Sequence, residues 1–229
     1  GEAPSMEALI VTGGECPSPS ALEVLARAAD FVVAADSGLD ALAPTSILPD
    51  YIVGDFDSLT DRSLLERYEN SHIIKYPSDK DATDTEIALD LCLAKGADRI
   101  SVAGGGGGRL DHLLGILYLF KRPGRPWAWH GSRESAYLVP PGSLGTFKVA
   151  LGATVSVFPL MEGSAGMESA GLKWPLEGLA WDPGRYGISN EATDERPRIR
   201  AGGSALLVVL PAGSECLLED AQGSPGILH

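Results

Sequence analysis

The chain is poor in the residues that staple, anchor or bind a polyanion. Its 229 residues hold three cysteines, Cys16, Cys92 and Cys216. The count is odd, the spacing is wide and no Cys-x-x-Cys occurs. A disulfide framework and a zinc site are therefore disfavoured, and a reducing, cytoplasmic setting is expected. Basic residues are scarce, with Lys+Arg at 18 against Asp+Glu at 31, for a formal net charge of −13. That balance speaks against DNA, RNA or an anionic membrane as the main partner, each of which needs a basic face. It leaves a nucleotide substrate open, because a divalent cation can sit between carboxylates and phosphates. No apolar run approaches the ~20 residues of a membrane span. Gly1 to Ser5 lack the charged region and apolar stretch of a signal peptide, and Met6 is a candidate native start.

What is present is a regular alternation over the first 120 or so residues. Apolar, β-prone runs at Ala8 to Val11, Phe31 to Ala34, Tyr51 to Val53, His72 to Lys75 and Arg99 to Val102 read as strands. Helical patterns follow at Pro19 to Ala29, with Ser18 as N-cap, at Leu64 to Tyr68, at Asp84 to Lys95 and at Arg109 to Phe120. Alternation of this kind predicts βαβ units and a largely parallel, Rossmann-like sheet. Trp127 to His130 is a candidate further strand. Past Arg122 to Arg125 the helical periodicity fades. Short β runs at Ser135 to Val139, Thr146 to Val149, Thr154 to Phe158 and Ala205 to Leu210 take over, punctuated by Gly and Pro. The expected fold class is α/β, with an α/β domain over residues 6–130 followed by an all-β sandwich or small barrel over 131–229. Gly163 to Gly187 is the least regular stretch and a candidate functional loop.

The chemistry gathers where strands end. Asp36 follows the second run, Asp55 and Asp57 the third, Asp81 and Asp84 the fourth, and the glycines Gly104 to Gly108 the fifth. In open parallel sheets ligands bind at the carboxyl ends of strands, so these segments are predicted to share one edge. In a straight strand the carboxylates of Asp55 and Asp57 would stand ~6–7 Å apart, too far for one Mg²⁺. The chain must turn there, and Gly54 permits it. A polar turn capping the next helix is the plain alternative. Thr83-Asp84-Thr85-Glu86 fits a capping box, which accounts for Glu86. Three carboxylates at Asp79, Asp81 and Asp84 are nonetheless costly to crowd without a cation. The glycine run leads into Arg109 and fits neither a Walker A loop nor a Gly-x-Gly-x-x-Gly fingerprint. Open backbone at a helix N-terminus beside a guanidinium remains an anion site, or else a solvated loop. Farther on, Trp174 beside Pro175 could stack on a planar ligand, and Ser189 and Asn190 could hydrogen-bond ring nitrogens. On physics alone these are ordinary turn residues.

Taken in order, six segments resemble the thiamine pyrophosphokinase family in its bacterial form. They are Ala35-Asp36-Ser37-Gly38, Pro49 to Ser58, Asp79 to Asp84, Gly107 to His112, Gly171 to Leu176 and Ser189-Asn190-Glu191. The resemblance implies an α/β catalytic domain, a β-sandwich domain that binds thiamine and dimerises, and a homodimer with its active site at the subunit interface. It implies transfer of pyrophosphate from ATP to the hydroxyl of thiamine, with AMP released and Mg²⁺ as cofactor. By the same resemblance Asp55, Asp57 and Asp84 are metal ligands, with Arg109 beside them in catalysis. Asp36, Gly107, Gly108, Arg109 and Asp111 face the nucleotide, and Lys80, Thr83, Trp174, Ser189 and Asn190 face thiamine. A diphosphokinase acting on another acceptor, such as a hydroxymethylpterin, would keep the Asp and Gly motifs and change the residues near Trp174 and Ser189. A non-catalytic thiamine or nucleotide sensor would bind ligand and form no AMP.

Overall fold

The computed structural model describes residues 5–57, 59–77, 82–181 and 187–220. Lys80, Asp79, Asp81, Ser58, Asp182 and Pro183 lie outside the described residues. The chain is a mixed α/β protein and divides by internal contacts into two units, Gly1–Ser132 and Arg133–His229.

The first unit alternates β1 (Glu7–Val11), α1 (Pro19–Ala28), β2 (Phe31–Ala35), α2 (Gly38–Leu42), β3 (Tyr51–Gly54), α3 (Leu64–Arg67), β4 (His72–Lys75), α4 (Asp84–Ala94), β5 (Arg99–Ala103), α5 (Leu110–Leu119) and β6 (Ala128–His130). The strands pair in the order β6-β5-β1-β2-β3-β4, and every pairing is parallel. The central strands β1 and β2 read as unbroken apolar runs because both sheet faces are covered. Leu9, Val11, Val32, Ala34 and Ile52 pack with Leu22 of α1, Leu39 and Leu42 of α2, and Phe56 into one core. The α4 helix starts with the full capping box: the Glu86 amide donates to Thr83 Oγ1 at 3.2 Å, and the Thr83 amide donates to Glu86 Oε2 at 2.7 Å. Ser18 caps α1, accepting from the Ala21 amide at 3.3 Å.

The second unit comprises β7 (Glu134–Val139), β8 (Leu144–Lys148), β9 (Thr154–Pro159), β10 (Ser164–Ala165), β11 (Glu168–Ala170), β12 (Ala180–Trp181), β13 (Ile188–Glu191), β14 (Arg198–Arg200), β15 (Leu206–Pro211) and β16 (Glu215–Glu219). All its pairings are antiparallel: β13-β9-β15-β7, β11-β14-β8-β16 and β10-β12. The stretch expected to be an irregular loop, Gly163 to Gly187, in fact carries β10, β11 and β12. Two- and three-residue strands are too short to leave a period in sequence. The five-residue helix α2 escapes the same reading for the same reason.

Candidate functional site

Because β1 to β5 run parallel, their carboxyl ends share an edge, and the loops leaving that edge carry the chemistry. Asp36 directly follows β2. Its amide donates to the Val53 carbonyl at 2.8 Å, and its φ of 46° is left-handed, uncommon for a non-glycine residue. Gly54, at the end of β3, has φ 152°, and a Cβ there would come within 3.2 Å of the Asp36 Cα. Glycine thus lets β3 end directly beside Asp36. The turn required after Gly54 takes the form of an Asx turn, in which Asp55 Oδ1 accepts from the Asp57 amide at 3.0 Å.

Among the described residues, the carboxylates that converge are Asp36, Asp55 and Asp84, with one oxygen of each within 4.8 Å of the others. Asp57 lines the same cleft, but its Oδ1 accepts from Arg62 Nη2 at 2.8 Å. Three hard oxygens fit a hard divalent cation. Mg²⁺ ligands at about 2.1 Å lie about 3–4 Å apart in an octahedron, so a small contraction of this set would suffice. Without a cation, three like charges at this spacing repel one another.

The glycine run is not an open loop. The amides of Gly104, Gly105 and Gly106 donate to the carbonyls of His130, Gly13 and Glu15, at 3.0, 2.7 and 3.3 Å, and Glu15 returns a bond to the Gly106 carbonyl at 2.8 Å. A Cβ at Gly104, with φ 104°, would sit 2.3 Å from the Thr12 carbonyl oxygen. The run is thus folded onto the loop after β1. Three of its amides are spent on backbone, and anion contacts are left to the neighbourhood of Gly107 and Gly108. Arg109 follows, its Nε donating to Asp111 Oδ1 at 3.1 Å. That bond, assisted by the guanidinium charge, holds the exposed Asp111 carboxyl down at about 2. Two adjoining cavities of about 400 and 520 Å³ share Gly13, Asp36, Ser37, Asp84, Gly105, Arg109 and His112. Thr83 and Asp111 line the smaller, Gly107 the larger.

Sequence reasoning passed over Thr12, Gly13 and Gly14, the loop after β1. Thr12 Oγ1 lies 2.9 Å from Thr85 Oγ1 and ties that loop to the start of α4. Two adjacent glycines after the first strand were the available signal.

In the second unit, Trp174 is about half exposed, with the Lys173 ammonium 4.9 Å from its ring centroid. Lys173 also donates to Glu191 Oε2 at 3.1 Å. Ser189 is exposed, whereas Asn190 is buried at 3%. The Asn190 amide is engaged with the Trp174 backbone: Oδ1 accepts from the Trp174 amide at 3.1 Å, and Nδ2 donates to the Trp174 carbonyl at 2.6 Å.

A parallel sheet with carboxylates, a guanidinium and a folded glycine turn on its carboxyl edge has the layout of an α/β ligand-binding protein. Its relatives narrow that class. Residues 22–126 match the family model for the thiamin pyrophosphokinase catalytic domain, and residues 146–202 match that for the thiamin pyrophosphokinase vitamin B1 binding domain. The thiamine pyrophosphokinase of Bacillus subtilis is 31% identical over 150 residues, 63% of this chain and 69% of the relative. Thiamin pyrophosphokinase 1 of Caenorhabditis elegans is 28% identical over 174 residues, 70% of each. The crystal structure of the B. subtilis protein superposes with a TM-score of 0.75 at 27% identity, covering 90% of this chain and 99% of that one. The chain belongs to the thiamine pyrophosphokinase family.

Proposed function

We propose that the protein is a thiamine diphosphokinase, moving a pyrophosphoryl group from ATP to the hydroxyl of thiamine and releasing AMP. The observation that carries the reading is the convergence of Asp36, Asp55 and Asp84 beside Arg109 and the glycine turn, in a chain of this family. Asp36, Asp55 and Asp84 would hold Mg²⁺, with Asp57 joining on release from Arg62. When bound, the ion supplies charge stabilisation at the phosphate oxygens. Arg109 donates to those oxygens with the guanidinium hydrogens that Asp111 leaves over, and Asp111 keeps the fork oriented. The amides near Gly107 and Gly108 add neutral donors. The thiamine hydroxyl oxygen attacks the β-phosphorus in line and the α–β bridging bond breaks. A nearby carboxylate takes the hydroxyl proton. Rate enhancement comes from positioning and electrostatics, with no covalent intermediate on the protein.

Lys80, Thr83, Trp174 and Ser189 face thiamine in this reading, with Asn190 beside Trp174. Residues 6–130 form a Rossmann-like catalytic domain and 131–229 a β-sandwich that binds thiamine and dimerises. The protein works in the cytoplasm as a homodimer, with its acceptor site completed by the partner subunit. An apolar stripe on α5 supports the dimer: Leu110, Leu113, Leu114 and Tyr118 are all exposed and, at spacings of three, four and eight, share one helix face next to Arg109. No helix among the described residues is long and apolar enough to cross a membrane.

The test is incubation with ATP and Mg²⁺ plus either thiamine or a hydroxymethylpterin, with products resolved by chromatography. Thiamine diphosphate and AMP in equal amounts are expected. A diphosphorylated pterin instead would reassign the acceptor, and ligand binding without AMP would make the protein a sensor.

A further inference from the structure

Ser189 and Asn190 are neighbours on β13, and adjacent residues of a strand point to opposite faces of the sheet. The burial follows that rule, with Ser189 exposed and Asn190 at 3%. The two side chains therefore do not reach one ligand from the same face. Asn190 has its polar atoms committed elsewhere. Its Oδ1 accepts from the amides of both Trp174, at 3.1 Å, and Glu191, at 2.9 Å, and its Nδ2 donates to the Trp174 carbonyl at 2.6 Å. A single side chain thus meets both backbone groups of one residue, as a strand partner would.

The rest of the Trp174 segment is built to the same end. Leu172 bridges Ala192, the Lys173 amide donates to the Glu191 carbonyl at 2.9 Å, and the Thr193 amide donates to the Gly171 carbonyl at 2.9 Å. Pairing with this strand would end at Lys173, and the Asn190 amide extends it by one residue, to Trp174. Lys173, ion-paired to Glu191, lies over the Trp174 ring. The ring meets Lys173 and the Trp174 backbone is held by Asn190, yet the ring stays about half exposed, although an indole left to itself gains by burial.

We infer that Asn190 is a positioning residue that does not touch the acceptor, and that its carboxamide fixes the Trp174 backbone so that the indole stands as a preformed platform for the acceptor's planar ring. The inference rests on the proposed acceptor role of Trp174. Its physical cause is the high cost of leaving buried amide and carbonyl groups without partners, which locks the segment in the one arrangement that satisfies both.

Asn190→Ala is expected to raise KM for thiamine about tenfold, the scale of losing one well-made buried hydrogen bond, while KM for ATP and kcat stay within twofold. In a Trp174→Ala background the same change should have no further effect on KM for thiamine, because the two residues act as a unit. Additive losses would mean that Asn190 contacts thiamine directly and would overturn the inference, as would equal losses in kcat and in both KM values. A second readout needs no activity. With 5-fluorotryptophan incorporated, the Trp174 fluorine resonance, identified by its loss in Trp174→Phe, should shift or broaden in Asn190→Ala while those of Trp127, Trp129 and Trp181 hold. An unmoved Trp174 resonance would overturn the positioning role. Should Asn190→Ala fail to fold, Asn190→Asp carries the same tests, being isosteric and setting a carboxylate oxygen against the Trp174 carbonyl in place of the donor. Failure of the wild type to form thiamine diphosphate would sink the functional reading, and the fluorine spectrum would still decide the positioning.

Discussion

The two edges of the parallel sheet carry cavities of similar size and opposite character. At the amino edge, Phe31, Tyr51 and His72 open β2, β3 and β4 and line a cavity of about 520 Å³ with Asp50, Arg67, Ser71 and Lys95. Its polar groups are used within the fold. Asp50 accepts from the Val32 amide at 2.7 Å, Arg67 donates to the carbonyls of Ala43 and Thr45, and Ser71 donates to the Pro49 carbonyl. Lys95 lies 5.1 Å from the centroid of the Tyr51 ring, which also stacks on His72. At the carboxyl edge, three carboxylates are held within 4.8 Å of one another, and Asp36 is held there in a left-handed conformation. Volume does not separate the two. Polar groups at one edge satisfy the protein, and at the other they are gathered at a cost the fold bears. Strain and like-charge crowding of that kind point to function.

The contrast breaks most visibly at the carboxylates. Asp55→Asn should lower kcat about 10³-fold, the scale of removing one charge-stabilising group at a reacting phosphate, with the fold retained by circular dichroism. Asp36→Asn should lose as much, and Asp57→Asn should also abolish useful turnover. Near-normal activity in Asp57→Asn would remove it from the metal set and leave Asp36, Asp55 and Asp84. Removing Mg²⁺ should stop turnover, and saturating Mg²⁺ should raise Tm by several degrees in the wild type and by none in Asp55→Asn. Asp50→Asn, at the other edge, should leave kcat unchanged.

Next comes the backbone of the carboxyl edge. Gly104→Ala brings a Cβ within 2.3 Å of a backbone carbonyl oxygen in a left-handed conformation, and neither atom can yield. A loss of roughly 3–5 kcal/mol is expected from strain and overpacking together, read as a lower urea midpoint with an unchanged slope. An unchanged midpoint would mean that the glycine turn is not packed against the β1 loop.

The positions of these loops were largely legible in sequence, and their internal form was not. Apolar runs ending in Asp36, Asp55 and Gly104 foretold the edge, because strand parity and βαβ handedness are local rules. The Thr83 and Glu86 capping box was legible because it spans four residues. That Asp36 meets Asp55 and Asp84 depends on the φ of Asp36 and Gly54 and on the Asx turn that delivers Asp57 to Arg62, none of which composition encodes. The glycine run looked open because its partners, Gly13 and Glu15, lie some ninety residues earlier. The bonds of Asn190 to Trp174 were not legible, because they join segments that no periodicity links.

His130, the last residue of β6, extends the comparison to pH. Burial lowers its pKa from 6.5 to about 4. Between those values the unfolded chain binds a proton that the folded chain refuses, so stability rises with pH across the window and is lost as pH falls from about 6.5 to about 4. The loss should approach about 3 kcal/mol. Melting temperatures measured across that range should fall less steeply in His130→Gln. Parallel curves for the two proteins would show that His130 titrates normally.

The smallest effect belongs to the amino edge and bears most directly on the contrast. Lys95→Gln removes the ammonium from the Tyr51 ring and leaves the Tyr51–His72 stack. An exposed cation–π contact contributes about 0.5–1 kcal/mol, so Tm should drop by a few degrees at most. Turnover, KM for ATP and KM for thiamine should all stay within twofold, since nothing at this edge reaches the cleft beside Asp55. A change in either KM beyond that would mean that the amino-edge cavity communicates with the site, and that a pocket whose polar groups are already bonded can still serve the reaction.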